Sequence, residues 1–233
     1  MEHPTMRGYD LGRELLKWLA IVTMTVDHVG VVLYPEYTVL RYVGRLSFPL
    51  IAYLLVLGME STGNLRNYLL RLLLFALISQ VPFTLARGVQ PWEYLNIFFT
   101  LSLGVLFIYF LKRNNYLLFL PLVASGLLPL DFDGYGVTII GCLYILRRHR
   151  RAGIILFILI NLATFFDVSY QPLALLALPL ILLHNDGRFS FNMIGEKPDH
   201  PLWRKYFFYA YYPLHLLVLY FLKIELFLPK LTG

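Results

Sequence analysis

The sequence is poor in charged residues and contains a single cysteine. Only 15% of its 233 residues are charged, whereas 58% are hydrophobic and the mean hydropathy is +0.65. Because a soluble domain carries about 25% charged residues, this composition excludes an ordinary soluble globular protein. The lone Cys142 permits neither an intramolecular disulfide nor a cysteine-cluster zinc site, so we expect it to be a packing residue and predict no metal centre.

Two motifs are also missing. No small-residue cleavage pattern follows the first apolar run, which favours a retained signal anchor over a removed signal peptide. No G-x-S-x-G motif occurs, which argues against an intramembrane serine protease. Although the net charge is +6, the basic residues fall in short clusters between apolar runs, so we predict no nucleic-acid partner.

The long apolar runs predict an all-α, polytopic integral membrane bundle that forms one domain over residues 1–233. A helix needs about 20 apolar residues to cross the hydrocarbon core, and the sixth to eighth runs are shorter, so some spans could be tilted, broken or re-entrant. The nine predicted segments are Leu15–Tyr34, Val39–Gly58, Tyr68–Leu85, Asn96–Leu111, Tyr116–Leu130, Tyr135–Leu146, Gly153–Phe166, Pro172–Leu183 and Tyr206–Leu228.

The loop charges predict the orientation of these segments. Most of the 20 lysines and arginines fall before the first segment or after the even-numbered ones, whereas acidic residues such as Glu36, Asp131 and Asp133 occupy the other loops. Loops rich in lysine and arginine remain in the cytoplasm. The sequence therefore predicts a cytoplasmic N-terminus and an extracytoplasmic C-terminus.

Two ionisable residues, Asp27 and His28, interrupt the first predicted span near its outer end. Ionisable side chains within a membrane are costly, which makes them functional candidates. Consecutive residues on a helix point about 100° apart, so the two side chains are not expected to face each other. The alternative is a buried pair that is satisfied by neighbouring helices.

Arg45 and His215 are further candidates for the same site. Arg45 follows Gly44 and precedes Pro49 in a segment that we expect to be kinked, and it can pair with Asp27 or extend to the membrane interface. His215 lies in the middle of the last span, where an aromatic belt does not explain a histidine. The predicted catalytic residues are thus His28, Asp27, Arg45 and His215.

The longest polar loop, on the predicted cytoplasmic side, forms a basic mouth suited to a phosphorylated ligand, although anionic lipid headgroups explain the same charges. Among the other polar candidates, Asn96 is equally typical of a helix cap or an interhelical hydrogen bond. The predicted binding residues are Tyr212, Asn96, Arg71, Asn185, Arg188 and Arg204.

Taken together, these motifs resemble the TraX family of membrane acetyltransferases from about Leu16 to Leu217. Where that family often has Tyr-Asn-Gly, this chain has His184-Asn185-Asp186-Gly187. The matching stretches are LKWLAIVTMTVDHVG, RYVGRLSFPLIAYLLVLG, NYLLRLLLFALISQVPF, LNIFFTLSLG, LALPLILLHNDGR and FYAYYPLHLL.

The resemblance implies an acetyl-CoA-dependent acetyltransferase of the bacterial cytoplasmic (inner) membrane. The activity for which the family is named is N-acetylation of the F-pilin subunit, but the acceptor here could equally be another peptide N-terminus, an amino sugar, a glycan or a lipid. On this view His28 is the general base, Asp27 stabilises an imidazolium or holds a substrate ammonium, and Arg45 stabilises charge. His215 and Tyr212 then line the channel.

The resemblance further implies that the phosphates of CoA bind near Asn185 and Arg188, and it leaves direct transfer and an acetyl-histidine intermediate both open. Two other functions remain. A proton-coupled secondary transporter uses similar ionisable residues, although no internal repeat of the Asp-His segment is evident. A non-catalytic membrane assembly factor in contact with lipids is the second alternative, but it leaves both histidines unexplained.

Overall fold

A computed structural model gives the fold of the chain, and it describes residues 9–165, 169–188, 192–193 and 202–227. Within these ranges a single two-residue pairing, antiparallel between β1 (Tyr9–Asp10) and β2 (Asn192–Met193), accompanies the helices. The α-helices are α1 (Leu11–Val32), α2 (Thr38–Gly44), α3 (Ser47–Ser61), α4 (Leu65–Arg87), α5 (Ile97–Lys112), α6 (Phe119–Leu127), α7 (Asp133–Arg148), α8 (Arg150–Ala163), α9 (Ala177–Asn185) and α10 (Leu202–Phe227). Short 3-10 turns, Tyr116–Leu118 and Gln171–Leu176, lead into α6 and α9.

Each of the nine predicted segments is helical over most of its described length, which confirms an all-helical bundle. Among the described residues, four helical stretches are long and apolar enough to cross a membrane: α1, α2 with α3, α4, and α10 from Tyr206. The other five segments are shorter than 18 residues, so more of them are short than the apolar runs predict. At about 1.5 Å per residue, a helix of the length of α5 is shorter than the hydrocarbon core is thick. The number of complete spans and their orientation remain predictions.

The second predicted segment is broken at the expected place. The helix stops at Gly44 and resumes at Ser47, so Arg45 lies between α2 and α3. Pro49 then falls in the first turn of α3, where a missing backbone N–H costs nothing. The break turns the Arg45 side chain into the interior, where it is only 8% exposed.

The helices pack around an aromatic and aliphatic core. α4 lies along α10, α7 contacts α5 and α8, and α1 packs against α2 and α3. The largest fully buried side chains include Tyr53, Phe48 and Phe83. A row of leucines and a valine on α4, spaced three or four residues apart, remains exposed, and such a stripe suits contact with lipid. These residues are Leu70, Leu74, Leu77 and Val81.

The helix ends gather at two opposite ends of the bundle. We name one of them the Arg13 end, because α1 begins there. At this end of the bundle Arg147, in the last turn of α7, binds Glu60, in the last turn of α3, at 2.7 Å. At the other end, named the His28 end, Arg87 at the end of α4 binds Asp131 between α6 and α7 at 2.9 Å. The bundle therefore presents two distinct mouths.

Candidate functional site

A cavity of about 550 Å³ opens at the His28 end, and we name it the His28 cavity. Four of the predicted site residues line it: Asp27, His28, Arg45 and Tyr212. The cavity is also lined by four charged residues that the sequence does not single out as site residues, namely Arg41, Arg87, Asp131 and Asp133. Its lining is thus rich in paired opposite charges.

His28 and His215 form a hydrogen-bonded pair across the helices α1 and α10. Nδ1 of His28 lies 2.7 Å from Nε2 of His215, and Nδ1 of His215 lies 2.9 Å from the backbone carbonyl of Tyr211. A carbonyl only accepts, so His215 carries its proton on Nδ1, and in the neutral ring Nε2 must accept. Nδ1 of His28 is therefore the donor, and Nε2 of His28 keeps a free lone pair.

The free nitrogen of His28 can act as a base. Nε2 makes no hydrogen bond within the described part of the chain, and His28 lines the His28 cavity. Packing fixes the ring in place, since it stacks on His215 with centroids 4.9 Å apart and meets the edge of Tyr212 at 5.8 Å. A neutral, oriented imidazole that faces a cavity is the usual form of a general base.

Asp27 binds two guanidinium groups and not His28. Arg41 donates to Oδ2 of Asp27 at 2.6 Å, and Arg45 donates to Oδ1 at 3.3 Å. Arg45 also donates to Gln171 at 3.0 Å, which links α1 and the α2–α3 break to the 3-10 turn before α9. The predicted pairing of Arg45 with Asp27 is present, and Asp27 makes no direct contact with His28, as expected for consecutive residues of a helix.

A second ion pair, Arg87 with Asp131, closes the side of the His28 cavity near α4. Asp131 is held in place by a short parallel bridge between Leu95 and Leu130, in which its N–H donates to the carbonyl of Leu95 at 3.0 Å. Burial raises the pKa of the Asp131 carboxyl to about 6, although the neighbouring Arg87 opposes that rise. The Asp131 carboxyl, with a pKa of about 6, therefore titrates within about one unit of neutral pH.

A second cavity, of about 730 Å³, opens at the opposite end, and we name it the Arg13 cavity. Its described lining carries Arg13, Lys17 and Arg71 and no aspartate or glutamate. The Nε atoms of Arg13 and Arg71 are buried without a hydrogen-bond partner among the described residues. Polar residues of the α3–α4 connection, such as Asn64, complete the mouth. Lys17 is paired with Glu14 at 2.6 Å, but the guanidinium donors of Arg13 and Arg71 are available, so this cavity is suited to an anion.

The two cavities meet at a shared wall, which we name the junction. Four residues line both cavities: Met24, Ile51, Ile97 and Tyr212. The residues of α1 that line the cavities recur every three or four positions and therefore form one stripe along the helix. This stripe includes Arg13, Lys17, Met24 and His28. One face of α1 thus runs along both cavities.

Three of the predicted binding residues, Asn96, Asn185 and Arg188, do not line either cavity. The Asn96 amide caps α5 through Phe98 and donates to the Ala76 carbonyl at 2.7 Å and to Gln80 at 2.8 Å, so it holds α5 in place and does not line a cavity. Asn185 accepts from Arg147 at 3.0 Å, and Arg188 is exposed. The predicted binding residues that do line a cavity are Arg71 and Tyr212, and the side chain of Arg204 lies outside the described residues.

His184 joins a separate polar cluster at the Arg13 end. Its Nε2 lies 3.0 Å from Asp10 and its Nδ1 lies 2.9 Å from the Tyr53 hydroxyl. Asp10 also caps α1 by accepting from the Arg13 N–H at 2.9 Å. The cluster therefore ties the start of α1 to α3 and α9. It explains why a histidine can precede Asn185 in a buried position.

The site residues absent from the sequence prediction gave only weak signals. Lys17 lies at the cytoplasmic end of the first predicted span, where a basic residue is an ordinary topology marker, whereas Arg41 and Arg87 lie at outer span ends, which the positive-inside rule does not explain. Asp131 was assigned to a loop, and nothing in its local sequence predicts burial. Among the described residues no group of three or more His, Cys, Asp or Glu side chains is placed to hold a metal ion.

Comparison with protein families places the chain in one of them. The family model described as TraX protein matches residues 12–223, which is nearly the whole chain. The chain belongs to the TraX family. The match includes His28, His215 and the lining of both cavities, so the site lies within the part of the chain that the family shares.

Two relatives are similar over different lengths. The probable fimbrial assembly protein FimC, serogroup H1, of Dichelobacter nodosus is 26% identical over 91% of this chain and 96% of its own length. An uncharacterized protein of Rickettsia prowazekii (strain Madrid E) is 28% identical over 44% of this chain, and the match spans only 38% of that relative. No solved structure matches the chain significantly.

Proposed function

We propose that this TraX-family protein is an acetyltransferase that carries an acetyl group from acetyl-CoA to an amine or hydroxyl acceptor. The observation that carries the proposal is the His28–His215 pair, which leaves a lone pair on Nε2 of His28 in a cavity that shares a wall with a second, cationic cavity. The donor enters from the Arg13 end and the acceptor from the His28 end. By the loop charges, these are the cytoplasmic and outer faces of a bacterial inner membrane.

The Arg13 cavity fits the donor better than the loop around Asn185 and Arg188. The phosphates of CoA need several cationic donors, and Arg13 and Arg71 offer buried Nε–H groups that have no partner among the described residues. From Arg13 to Met24 at the junction, α1 rises by about 16 Å at 1.5 Å per residue. An acyl group on a flexible arm can therefore reach the junction while the phosphates stay at the mouth.

The chemistry requires one base and a place for negative charge. Nε2 of His28 takes the proton from the acceptor N–H or O–H as that atom attacks the thioester carbonyl. The C–S bond then breaks, and the same nitrogen returns the proton to the departing thiolate, which gives CoA and the acetylated acceptor. His215 holds the imidazole of His28 in the required tautomer throughout.

The role of His28 is tested with the purified protein in detergent or nanodiscs. In His28→Gln we expect turnover to fall by about 10²–10⁴-fold, because a positioned base contributes that much, with acetyl-CoA affinity unchanged. The matched control is His149→Gln, since His149 is exposed and lines neither cavity. Wild-type turnover in a folded His28→Gln protein would contradict the proposal.

The donor site is tested by comparing arginines at the same end of the bundle. We expect Arg13→Gln and Arg71→Gln to weaken binding of acetyl-CoA, and Arg188→Gln to leave it unchanged. Acetyl-pantetheine, which lacks the nucleotide, should bind all three variants alike. Equal weakening by Arg188→Gln would return the donor site to the polar loop.

The same experiments separate the alternative functions. An enzyme gains thermal stability from saturating acetyl-CoA by mass action, whereas a proton-coupled transporter or a scaffold gains none. Because the Dichelobacter relative is named a probable fimbrial assembly protein, the acceptor panel includes a fimbrial-subunit N-terminal peptide beside amino sugars, glycans and lipids. Acetylation of any of these supports the proposal.

A further inference from the structure

The hydroxyl of Tyr212 is buried at the junction without a hydrogen-bond partner. Tyr212 is only 3% exposed, and its hydroxyl has no partner among the described residues. Buried polar groups in proteins are nearly always hydrogen-bonded. Because Tyr212 lines both cavities, its hydroxyl is placed to meet a ligand that reaches the junction from either side.

The N-terminus of α5 lies at the same place. Ile97, the first residue of α5, also lines both cavities. Its backbone lies near the Tyr212 hydroxyl, but the two groups are not aligned well enough to form a hydrogen bond. The first N–H groups of a helix have no partner within the helix and carry partial positive charge. Asn96 fixes this end of α5 by capping it and by binding α4.

We propose that the Tyr212 hydroxyl and the N-terminus of α5 form an oxyanion site for the acyl carbonyl oxygen. The inference rests on the proposed acetyl transfer and names a second catalytic group for it. As the acceptor attacks, the carbonyl π pair moves onto oxygen, and the Tyr212 O–H and the α5 amide donate to it. When the C–S bond breaks, the carbonyl is restored and both donors are unchanged.

The position relative to His28 supports this assignment. The rings of His28 and Tyr212 are in edge-to-face contact, with centroids 5.8 Å apart, so the base and the ring that carries the donor lie side by side. Donors that are fixed before the reaction stabilise the charge that develops in the transition state. Asn96 then acts as a positioning residue, since it sets the end of α5 without touching the ligand.

The test compares two tyrosines of α10. Tyr212→Phe keeps the ring against Phe98 and removes only the hydroxyl, so we expect kcat to fall by about 10²–10³-fold with acetyl-CoA affinity and thermal stability unchanged. Tyr220→Phe is the control, because Tyr220 lies further along the same helix and lines neither cavity. Equal turnover in the two variants would overturn the oxyanion site.

A spectroscopic measurement gives the result independently of turnover. The carbonyl stretch of ¹³C-labelled acetyl-CoA is recorded by infrared difference spectroscopy on wild type and Tyr212→Phe. We expect a shift to lower frequency on wild type that is largely lost in the variant. If wild type binds acetyl-CoA without turnover, the proposed function fails, but the comparison of the two spectra still tests the oxyanion site. An identical carbonyl shift in wild type and Tyr212→Phe refutes the oxyanion site.

Discussion

Asp27 and His28 are consecutive residues whose side chains bind different partners. The turn of about 100° between them sends Asp27 to Arg41 and Arg45 and sends His28 to His215. Asp27 therefore anchors the α2–α3 break, while His28 keeps a free nitrogen in the cavity. A helix that carries both can organise the wall of a site and supply its base within a single turn.

The buried carboxyl of Asp131 predicts a pH dependence of stability. Burial raises the pKa of Asp131 from 3.8 to about 6 in the folded protein, which therefore binds more protons than the unfolded chain between these values. The stability that this group contributes is fully present below its unfolded pKa and is lost as the pH rises through about 6. We expect the Tm of wild type, relative to Asp131→Asn, to fall between about pH 4 and about pH 7.

The measurement is thermal unfolding of both proteins in the same detergent across that range. Using the difference in Tm between wild type and Asp131→Asn cancels the titration of groups that the two proteins share. A difference in Tm that does not change with pH would mean that the Asp131 carboxyl keeps an ordinary pKa.

The helices α1 and α2 form a tight hairpin because two glycines allow their backbones to approach. A Cβ on Gly30 would lie 2.8 Å from Cβ of Leu40, and one on Gly44 would overlap the side chain of Asp27. The close approach brings Arg41 and Arg45 within reach of the Asp27 carboxylate. The ion-pair cluster is thus a consequence of how these two elements pack.

Gly44→Ala is expected to disturb that cluster. The added methyl group must displace the Asp27 carboxylate from its arginines, and overpacking of this kind costs about 1–3 kcal/mol. Thermal unfolding should show a lower Tm, and turnover should fall because the cavity wall moves. The control is Gly126→Ala, since a Cβ there has nothing within 4 Å and Gly126 lines neither cavity. A Tm equal to that of the control would show that the hairpin yields without cost.

Across the whole molecule, the two cavities reproduce the charge asymmetry of the loops. The Arg13 cavity holds only cationic charged groups in its described lining, whereas the His28 cavity mixes arginines with aspartates. If the Arg13 end faces the cytoplasm, as the positive-inside rule predicts, the donor and the acceptor approach from opposite sides of the membrane. The orientation of the bundle therefore decides which compartment supplies each substrate.

The orientation is tested with reporter fusions in bacterial cells. We expect alkaline phosphatase fused after Gly233 to be active, because it would lie outside the cytoplasm. The same enzyme inserted at Asn114, in the turn between α5 and α6, should be inactive on the cytoplasmic side. The reverse pattern would exchange the proposed donor and acceptor faces.

The sequence alone determined the helical class, the approximate bounds of the apolar segments and the break near Gly44. These features depend on local composition, which the chain carries residue by residue. It also indicated Asp27, His28, Arg45 and His215, because ionisable residues inside apolar segments are conspicuous.

Only the tertiary structure decided how these residues are paired. His28 and His215 lie 187 positions apart in the sequence and meet because α1 packs beside α10. The tertiary structure also decided that Arg13 and Arg71 line a cavity while Arg188 is exposed, since the burial of a basic residue at a helix end depends on the neighbouring helices. Such contacts between distant segments are set by packing, and no local pattern specifies them.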